Sequence, residues 1–454
     1  MNNDFYRIKR LPPYIFEEVN RIKARLRAEG TDIIDFGMGN PDMPTPKHIV
    51  DKLIETARDP KAGRYSASKG IVGLRKAMAG YYDRRFGVKL DYNTEVIATL
   101  GSKEGFANLA QALTAPGGGS TSAKLAEWAR DHYLGPVVTF GEWISYNPPK
   151  AGGTPGFSLD APGGTTPARD YKKTHGFVPN IPQKLTSPAG KPLPGEGAWR
   201  VLETVKGYPA IFGTFLRPSA VYTSYVAGLV SMDQRLVRFG LRPGAEDPGP
   251  GHWKASTWIP PGTRKGLLAT FNGGFKLDSA GGGFYLNGSH KGALVNGAAS
   301  VVYYRDGTIK IGSWGRELRM TPNVVGVRQN LKLLVDHGKV PATVNQNVTT
   351  NWGATLGGGY YVWRSALGIT RGGRVIFVYG PALDVKELAG LLRRAGAVEA
   401  LQLDINPEWM SYDYYKAGSH PSSPTPHALL PTQQGSVYRY YQVYSRDFTV
   451  VYSR

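Results

Sequence analysis

The chain has 454 residues, enough for about two or three domains with cores of their own, and a hydrophobic share of 41% that is ordinary for a folded globular protein. It has no cysteine, which excludes disulfides, thiolate metal sites and cysteine nucleophiles, and no run of eighteen apolar residues, which excludes a helical membrane span. The formal charge of +20 points to anionic partners or surroundings. No helix-turn-helix, zinc-finger or RRM signature and no dense Lys/Arg block accompanies that charge, so no nucleic acid is expected as partner. A dispersed basic surface is the plain reading, and an anionic polymer such as a phosphodiester-linked glycan is the specific one. Met1-Asn2-Asn3-Asp4 lack the basic start and apolar core of a secretory signal, which predicts that the chain stays where it is made.

Residues 1–116 read as α/β. Pro12-Pro13 precede a helical pattern from about Tyr14 to Ala28, with Ile15, Val19, Ile22 and Leu26 on one face and Gly30 past its end. A short strand is predicted at Ile33–Phe36, then helices at His48–Ala57 and Ile71–Phe86, the latter closed by Gly87. Val96–Leu100 reads as a buried strand that turns at Gly101-Ser102 into a helix from about Lys103 to Leu113. Residues 117–121 have the composition of a Gly/Ser linker or fusion junction. Residues 121–134 suggest one short helix within a Pro/Gly-rich extension over 122–196.

From Trp199 short strands rich in Val, Ile, Tyr and Phe dominate: Tyr208–Phe215, Val221–Met232, Gly266–Phe271, Ala299–Tyr304 and Arg374–Tyr379. Two helices are expected among them, at Val324–His337 and Val385–Ala395. In the second, Asp384 and Glu387 make a capping box, Leu388, Leu391 and Leu392 share a face, and Gly396 follows. A strand from Val398 to Asn406 comes next, with Leu401, Leu403 and Ile405 toward the core and Gln402, Asp404 and Asn406 away from it. A carboxylate at the end of such a strand is costly unless solvated, paired or used.

Three motifs in order mark the first piece: Phe36-Gly37-Met38-Gly39-Asn40-Pro41-Asp42, Arg64-Tyr65-Ser66-Ala67-Ser68-Lys69-Gly70 with Leu74-Arg75, and Leu100-Gly101-Ser102-Lys103-Glu104-Gly105. On these, residues 4–116 resemble class I aminotransferases of the alanine and LL-diaminopimelate type. The resemblance implies pyridoxal phosphate, with Gly101, Ser102, Lys103 and Tyr65 at its phosphate and Gly39 near the substrate carboxylate. A Gly-Ser turn opening a helix offers free N–H groups and a positive dipole end, which agrees. The family's Schiff-base lysine, pyridine-nitrogen Asp and carboxylate-binding Arg lie far downstream in its text, which stops after Pro116. Without them transamination does not run, so the site is expected to be vestigial.

The second piece carries Phe271-Asn272-Gly273-Gly274-Phe275, Trp363-Arg364-Ser365-Ala366-Leu367-Gly368 and Ala400-Leu401-Gln402-Leu403-Asp404-Ile405-Asn406. On these, residues 197–454 resemble the phosphodiester glycosidase family, with Ser122–Gly156 similar to the extension that bacterial members place before the domain. Most members read Leu-Asp-Gly-Gly where this chain has Leu403-Asp404-Ile405-Asn406, a departure at two positions that tight backbone approach favours as glycine. The family usually works outside the cytoplasm.

Glycoside cleavage needs a carboxylate that attacks or activates water, and a phosphodiester leaving group shifts the remaining demand toward cations that hold the phosphate. Asp404 is the expected essential carboxylate and Glu408 the second. Arg364 is the first choice for the phosphate clamp and Arg328 the next, and Asn272 and Asn406 would bind sugar hydroxyls. Trp352, Tyr360, Tyr361, Trp363 and Trp409 are aromatics for sugar stacking or sheet packing. No His-Glu-x-x-His and no Gly-x-Ser-x-Gly occurs, so zinc-protease and α/β-hydrolase chemistry are not expected. The expectation is an α+β chain: a β-rich phosphodiester-glycosidase-like domain that needs no cofactor, preceded by a truncated α/β aminotransferase segment.

Overall fold

A computed structural model describes residues 15–34, 43–62, 69–114, 124–126, 147–164, 180–346, 349–355, 359–418, 420 and 422–454. The chain divides into two compact units, Met1–Ala98 and Thr99–Arg454. No helix of the described residues is long and apolar enough to cross a membrane.

The first unit holds helices α1 (Ile15–Ala28), α2 (Lys47–Ala57) and α3 (Val72–Phe86). All three predicted helices are present within one or two residues of their expected ends. Gly87 closes α3 in the left-handed conformation, φ 70°, donating its N–H to the Asp83 carbonyl. Arg75 of α3 is buried and pins the unit internally, donating Nε to the Gly70 carbonyl at 3.1 Å and Nη1 to the Tyr92 carbonyl. The strand expected at 96–100 is not formed, and the described part of the one expected at 33–36 is not strand either. Ile33 and Ile34 are irregular, residues 35 and 36 lie outside the described residues, and 96–100 is an irregular run with Leu100 97% exposed. A strand persists only where a neighbour completes its ladder, and 96–100 has a single main-chain bond of that kind, from Ala98 N to the Lys69 carbonyl at 3.1 Å.

The second unit begins with α4 (Ser102–Thr114). Of the helix expected at 121–134, residues 124–126 are helical and the remainder lie outside the described residues. The β-rich part opens with β1 (Arg200–Val205), β2 (Tyr208–Leu216), β3 (Ala227–Asp233) and β4 (Val237–Arg242). Then come β5 (Leu267–Asn272), β6 (Phe284–Leu286), β7 (Ser289–Lys291), β8 (Ala299–Tyr304), β9 (Ile309–Ser313), β10 (Val324–Gln329) and β11 (Leu333–Val335). β12 (Val362–Thr370) and β13 (Arg374–Leu383) lead to helix α5 (Val385–Arg394) and β14 (Ala397–Gln402). β15 (Tyr412–Lys416), β16 (Thr425–Ala428) and β17 (Phe448–Ser453) complete the chain.

These strands make three sheets: β1-β2-β3-β13-β12-β14-β11, β7-β6-β10-β8-β9 and β16-β15-β5-β17-β4. One core joins them, with Phe271, Phe377 and Tyr412 in ring contact at 5.0 to 6.3 Å between centroids. Helix α5 lays Leu388, Leu391 and Leu392 on a second apolar cluster that includes Ala400 of β14. Its predicted capping box is formed: the Asp384 carboxylate accepts from Glu387 N at 2.6 Å, and Glu387 Oε2 accepts from Asp384 N at 3.2 Å. Two expectations are corrected. The helix over Val324–His337 is instead β10 and β11, because Arg328, Gln329 and Asn330 are as buried as Val327, so both faces of the segment are covered. The strand over Val398–Asn406 leaves its ladder after Gln402. Gln402 and Asp404 do not face solvent, at 0% and 5% exposure, because α5 covers one face of β14 and the shared core the other.

Candidate active site

Asp404 lies just beyond β14, Gly273-Gly274 just beyond β5, and Arg446-Asp447 just before β17. The main chain stitches these ends together: Asp404 N donates to the Gly273 carbonyl at 3.1 Å, and Gly273 N donates to the Asp447 carbonyl at 3.0 Å. Ser365 of β12 donates both its N–H and, at 2.7 Å, its hydroxyl to the Asp404 carbonyl. The third sheet is tied in by Asn330, whose Nδ2 donates to the Gln402 carbonyl at 2.7 Å and whose Oδ1 accepts from Phe275 N at 3.0 Å. The approach leaves no room for side chains at the two glycines. A Cβ on Gly273 would sit 2.1 Å from Asp447 Oδ2, and one on Gly274 would sit 2.8 Å from Asn330 Oδ1.

At this junction Asp404 Oδ1 accepts from Ile405 N at 2.7 Å and Asn406 N at 2.9 Å, while Oδ2 accepts from Arg446 Nη2 at 3.1 Å. Two amides and a guanidinium are the donor set that suits a carboxylate anion. Arg446 Nη2 also donates to the Gly274 carbonyl at 3.3 Å, and the guanidinium lies 5.9 Å from the Trp409 ring centroid. The pair is well enclosed, with side-chain exposures of 7% for Asp404 and 6% for Arg446. Beyond it the turn at 406–408 opens outward: Asn406 and Glu408 are half-buried, and Asn406 Oδ1 accepts from Glu408 N at 3.0 Å. Arg439 anchors this turn from beneath, donating Nη1 to the Glu408 carbonyl at 2.8 Å.

The other predicted residues are spent on packing the junction. Asn272 is buried, donates Nδ2 to Ser365 Oγ at 3.0 Å and accepts from Ser411 N at 3.2 Å. Arg328 grips Asp447 through Nε and Nη2 at 3.0 and 3.1 Å, with the Phe275 and Gln329 carbonyls as further acceptors. Burial pushes the Asp447 carboxyl upward and Arg328 opposes it. Arg364 is 1% exposed and points away from Asp404, its donors ending on the Leu383 carbonyl, Gln402 Oε1 and the Tyr360 carbonyl. Burial pulls its guanidinium down to about 10, with Asp384 opposing. Trp352 and Trp409 are buried at 1% and 6%, while Tyr361 meets both Tyr360 and Tyr222 edge to face.

Sequence reasoning passed over Arg446, Asp447, Ser365 and Asn330. The signal for the first two was the Arg-Asp pair set against the strand-forming run Phe448-Thr449-Val450-Val451, a costly place for charge unless each has a partner.

In the first piece, Tyr65 and Gly39 lie outside the described residues. Gly101, with φ 104°, turns the exposed chain into α4 at Ser102, as predicted, and Lys103 is exposed on its first turn. The Glu104 carboxylate accepts from Leu100 N, so an acidic group occupies the amide just ahead of that turn. A cofactor phosphate has the helix end it would ask for, but the carboxylate beside it and the irregular run at 96–100 do not make a finished pyridoxal-phosphate cradle.

A family model described as phosphodiester glycosidase matches residues 265–404, and one described as aminotransferase class I and II matches residues 31–122. A protein named "Putative aminotransferase AatC", from Rhizobium meliloti, is 68% identical over 114 residues, which are 25% of this chain and 28% of that protein. A "Putative aspartate aminotransferase" from Methylorubrum extorquens is 68% identical over 91 residues, 20% of this chain and 98% of that sequence. The chain therefore spans little more than a quarter of the Rhizobium protein's length. Among solved structures, the zebrafish N-acetylglucosamine-1-phosphodiester alpha-N-acetylglucosaminidase catalytic domain, auto-inhibited by its pro-peptide, is similar over 56% of this chain and 87% of that chain. Its identity is 14% and its TM-score 0.35. Both resemblances read from the sequence fall on the stretches that the family models match.

Proposed function

From a chain that belongs through its first segment to the class I and II aminotransferases and carries a phosphodiester-glycosidase stretch after it, we propose that the second part is the working one. It is a hydrolase that cleaves the glycosidic bond of a sugar-1-phosphodiester or of an anionic cell-envelope glycan. The observation that carries this reading is the Asp404–Arg446 contact at 3.1 Å, set where three sheets meet and at the end of the matched stretch 265–404.

In the proposed reaction Asp404 is the essential carboxylate, taking a proton from the attacking water or bonding to the anomeric carbon itself. The bond from that carbon to the phosphate oxygen breaks, and the phosphate leaves with the electron pair; where Asp404 has bonded to the carbon, water then displaces it and frees the carboxylate. Arg446, touching Asp404, takes the phosphate-holding role that the sequence assigned to Arg364 and Arg328. On the outer turn half-buried Asn406 meets the sugar hydroxyls and half-buried Glu408 supplies the second carboxylate, while Asn272, Arg328 and Arg364 hold the frame. No step needs a cofactor. The first segment is read as a vestigial pyridoxal-phosphate site.

The test is hydrolysis of an N-acetylglucosamine-1-phosphodiester by the full chain and by Asp404→Asn. The variant keeps an acceptor for Ile405 N and Asn406 N but takes the anionic partner from buried Arg446, so its melting temperature should drop; assayed below that melting point, its turnover should fall on the order of 10²–10⁴-fold. Undiminished turnover in the variant would remove Asp404 from the mechanism. Tight glycan binding without turnover would favour a non-catalytic glycan-binding module instead, a reading supported by Ile405-Asn406 standing where a Gly-Gly pair is usual.

A further inference from the structure

Most buried arginines of the second unit face carboxylates: Arg217 meets Glu196, Arg374 meets Asp233, Arg328 meets Asp447 and Arg446 meets Asp404. The positive excess of the chain therefore lies elsewhere, and part of it is concentrated on the sheet β7-β6-β10-β8-β9. Two grooves adjoin there and share Arg305. One has a volume of about 760 Å³ and is lined by Lys254, Tyr285, Asn287 and Met320 among others. The other, of about 430 Å³, adds Tyr304 and Lys310. Both volumes fall in the range of sites that hold small ligands.

We infer that these grooves form one binding site for an anionic glycan strand, distinct from the Asp404 junction. Lys254, Arg305 and Lys310 are exposed, and among the described residues none of them is in an ion pair. The acidic neighbour, Asp306, is already committed, accepting from Thr308 N at 2.9 Å and Thr308 Oγ1 at 2.7 Å. Three cations outside any ion pair along one open channel suit repeated negative charge better than a single anion.

The rest of the lining suits sugar. Tyr285 and the 44% exposed Met320 offer apolar faces, and Asn287 offers an amide that can both donate and accept. The frame is held by backbone: Asn287 N donates to the Val325 carbonyl and Arg305 N to the Asn323 carbonyl, each at 2.8 Å. A nucleic acid would ask for open aromatic platforms, and the Tyr304 ring instead carries Lys310 Nζ 5.7 Å from its centroid.

Position strengthens the assignment. β10 starts with Val324, which lines the larger groove, and reaches Arg328 at the Asp404 junction four residues later. At the usual rise of a strand that is roughly 13 Å, a few sugar units. A polymer held in the groove is thereby placed to present a neighbouring unit to the junction. This last step rests on the glycosidase reading, whereas the binding site itself does not.

The experiment is fluorescence anisotropy of the full chain with labelled dextran sulfate, labelled neutral dextran, linear polyphosphate and a single-stranded oligonucleotide, at rising salt. Dextran sulfate should bind and weaken steadily with salt, neutral dextran should not bind, and polyphosphate of equal charge should bind less well. Lys254→Gln/Arg305→Gln should lose about tenfold or more in affinity and show a flatter salt dependence, while Lys386→Gln on α5 changes neither. Both groups of the double variant are exposed, so its melting temperature should match the parent, and Lys310→Gln supplies an independent reading. Unchanged dextran sulfate affinity in these variants, or tighter binding of the oligonucleotide, overturns the inference. Hydrolysis of the short phosphodiester should be untouched by the double variant. An inactive parent that still binds dextran sulfate through Lys254 and Arg305 would sink the glycosidase reading and leave this site standing.

Discussion

Six arginines are buried among the described residues of the second unit: Arg217, Arg328, Arg364, Arg374, Arg439 and Arg446. Four have carboxylate partners, whereas Arg364 and Arg439 spend their donors largely on main-chain carbonyls. Removing one member of a buried ion pair typically costs about 3–5 kcal/mol, so these arginines constrain the fold whatever else they do. The distinction explains why a basic residue beside a recognisable motif was a poor guide to the site. Arg328 and Asp447 are 119 residues apart, and Arg446 and Asp404 are 42 apart. No local pattern announces such partners. Asp404 itself was legible because Leu401, Leu403 and Ile405 mark out its segment. Among the described residues two buried acids, Asp384 and Asp413, have no ion pair, and Asp413 is the deeper. Asp413 on β15 is 0% exposed, and burial pushes its carboxyl up to about 7, with Arg439 and Gln433 pulling against the shift. The folded state therefore keeps a proton that the unfolded chain releases near its ordinary 3.8, and stability falls as pH rises between those values. Asp413→Asn should abolish that part of the slope. In paired melting curves from pH 4 to 8 the variant should gain on the parent up to about pH 7 and run level beyond. A constant offset across the range would mean that Asp413 is ionised throughout.

At the scale of elements, legibility followed capping and exposure. α1 was readable from its amphipathic pattern and the glycine past its end, and α3 from the Gly87 that closes it. α5 was readable from its Asp384–Glu387 box. The segment 324–337 was not, since its Val324, Val327, Leu331 and Leu334 have helical spacing while Gly326, Arg328, Gln329, Asn330 and Leu333 between them are buried too. Periodicity vanishes when both faces are covered. The junction suffers from the same blindness: Gly273 and Gly274 look like turn residues, and only the approach of Asp447 and Asn330 explains them. The α5 cap carries a testable weight. Asp384→Ala leaves Glu387 N without its acceptor and should cost about 1 kcal/mol, within the 0.5–2 kcal/mol usual for a lost cap. Urea unfolding of the parent and variant measures it. No shift in the midpoint would show that water replaces the carboxylate at no cost.

At the scale of the whole molecule, the two units bury their apolar residues very differently. The second has a continuous core across its sheets. In the first, α2 has no buried residue, and its Ile49, Val50, Leu53 and Ile54 are 51%, 38%, 68% and 46% exposed. An amphipathic helix is stabilised mainly by burying such a stripe. The segment matches 28% of the length of its Rhizobium relative, and the remaining part of an aminotransferase would be expected to supply the missing cover. Left open, a patch of this kind drives association. The full chain should therefore self-associate with rising concentration and bind a hydrophobic dye, and Leu53→Lys/Ile54→Lys should reduce both. The substitutions fall in the first unit, so the main cooperative unfolding transition, which reports the second unit's core, should not move. Sedimentation velocity over a concentration series, with calorimetry on the same samples, separates the two effects. If the double variant associates as readily as the parent, the exposed face of α2 is not what brings the copies together.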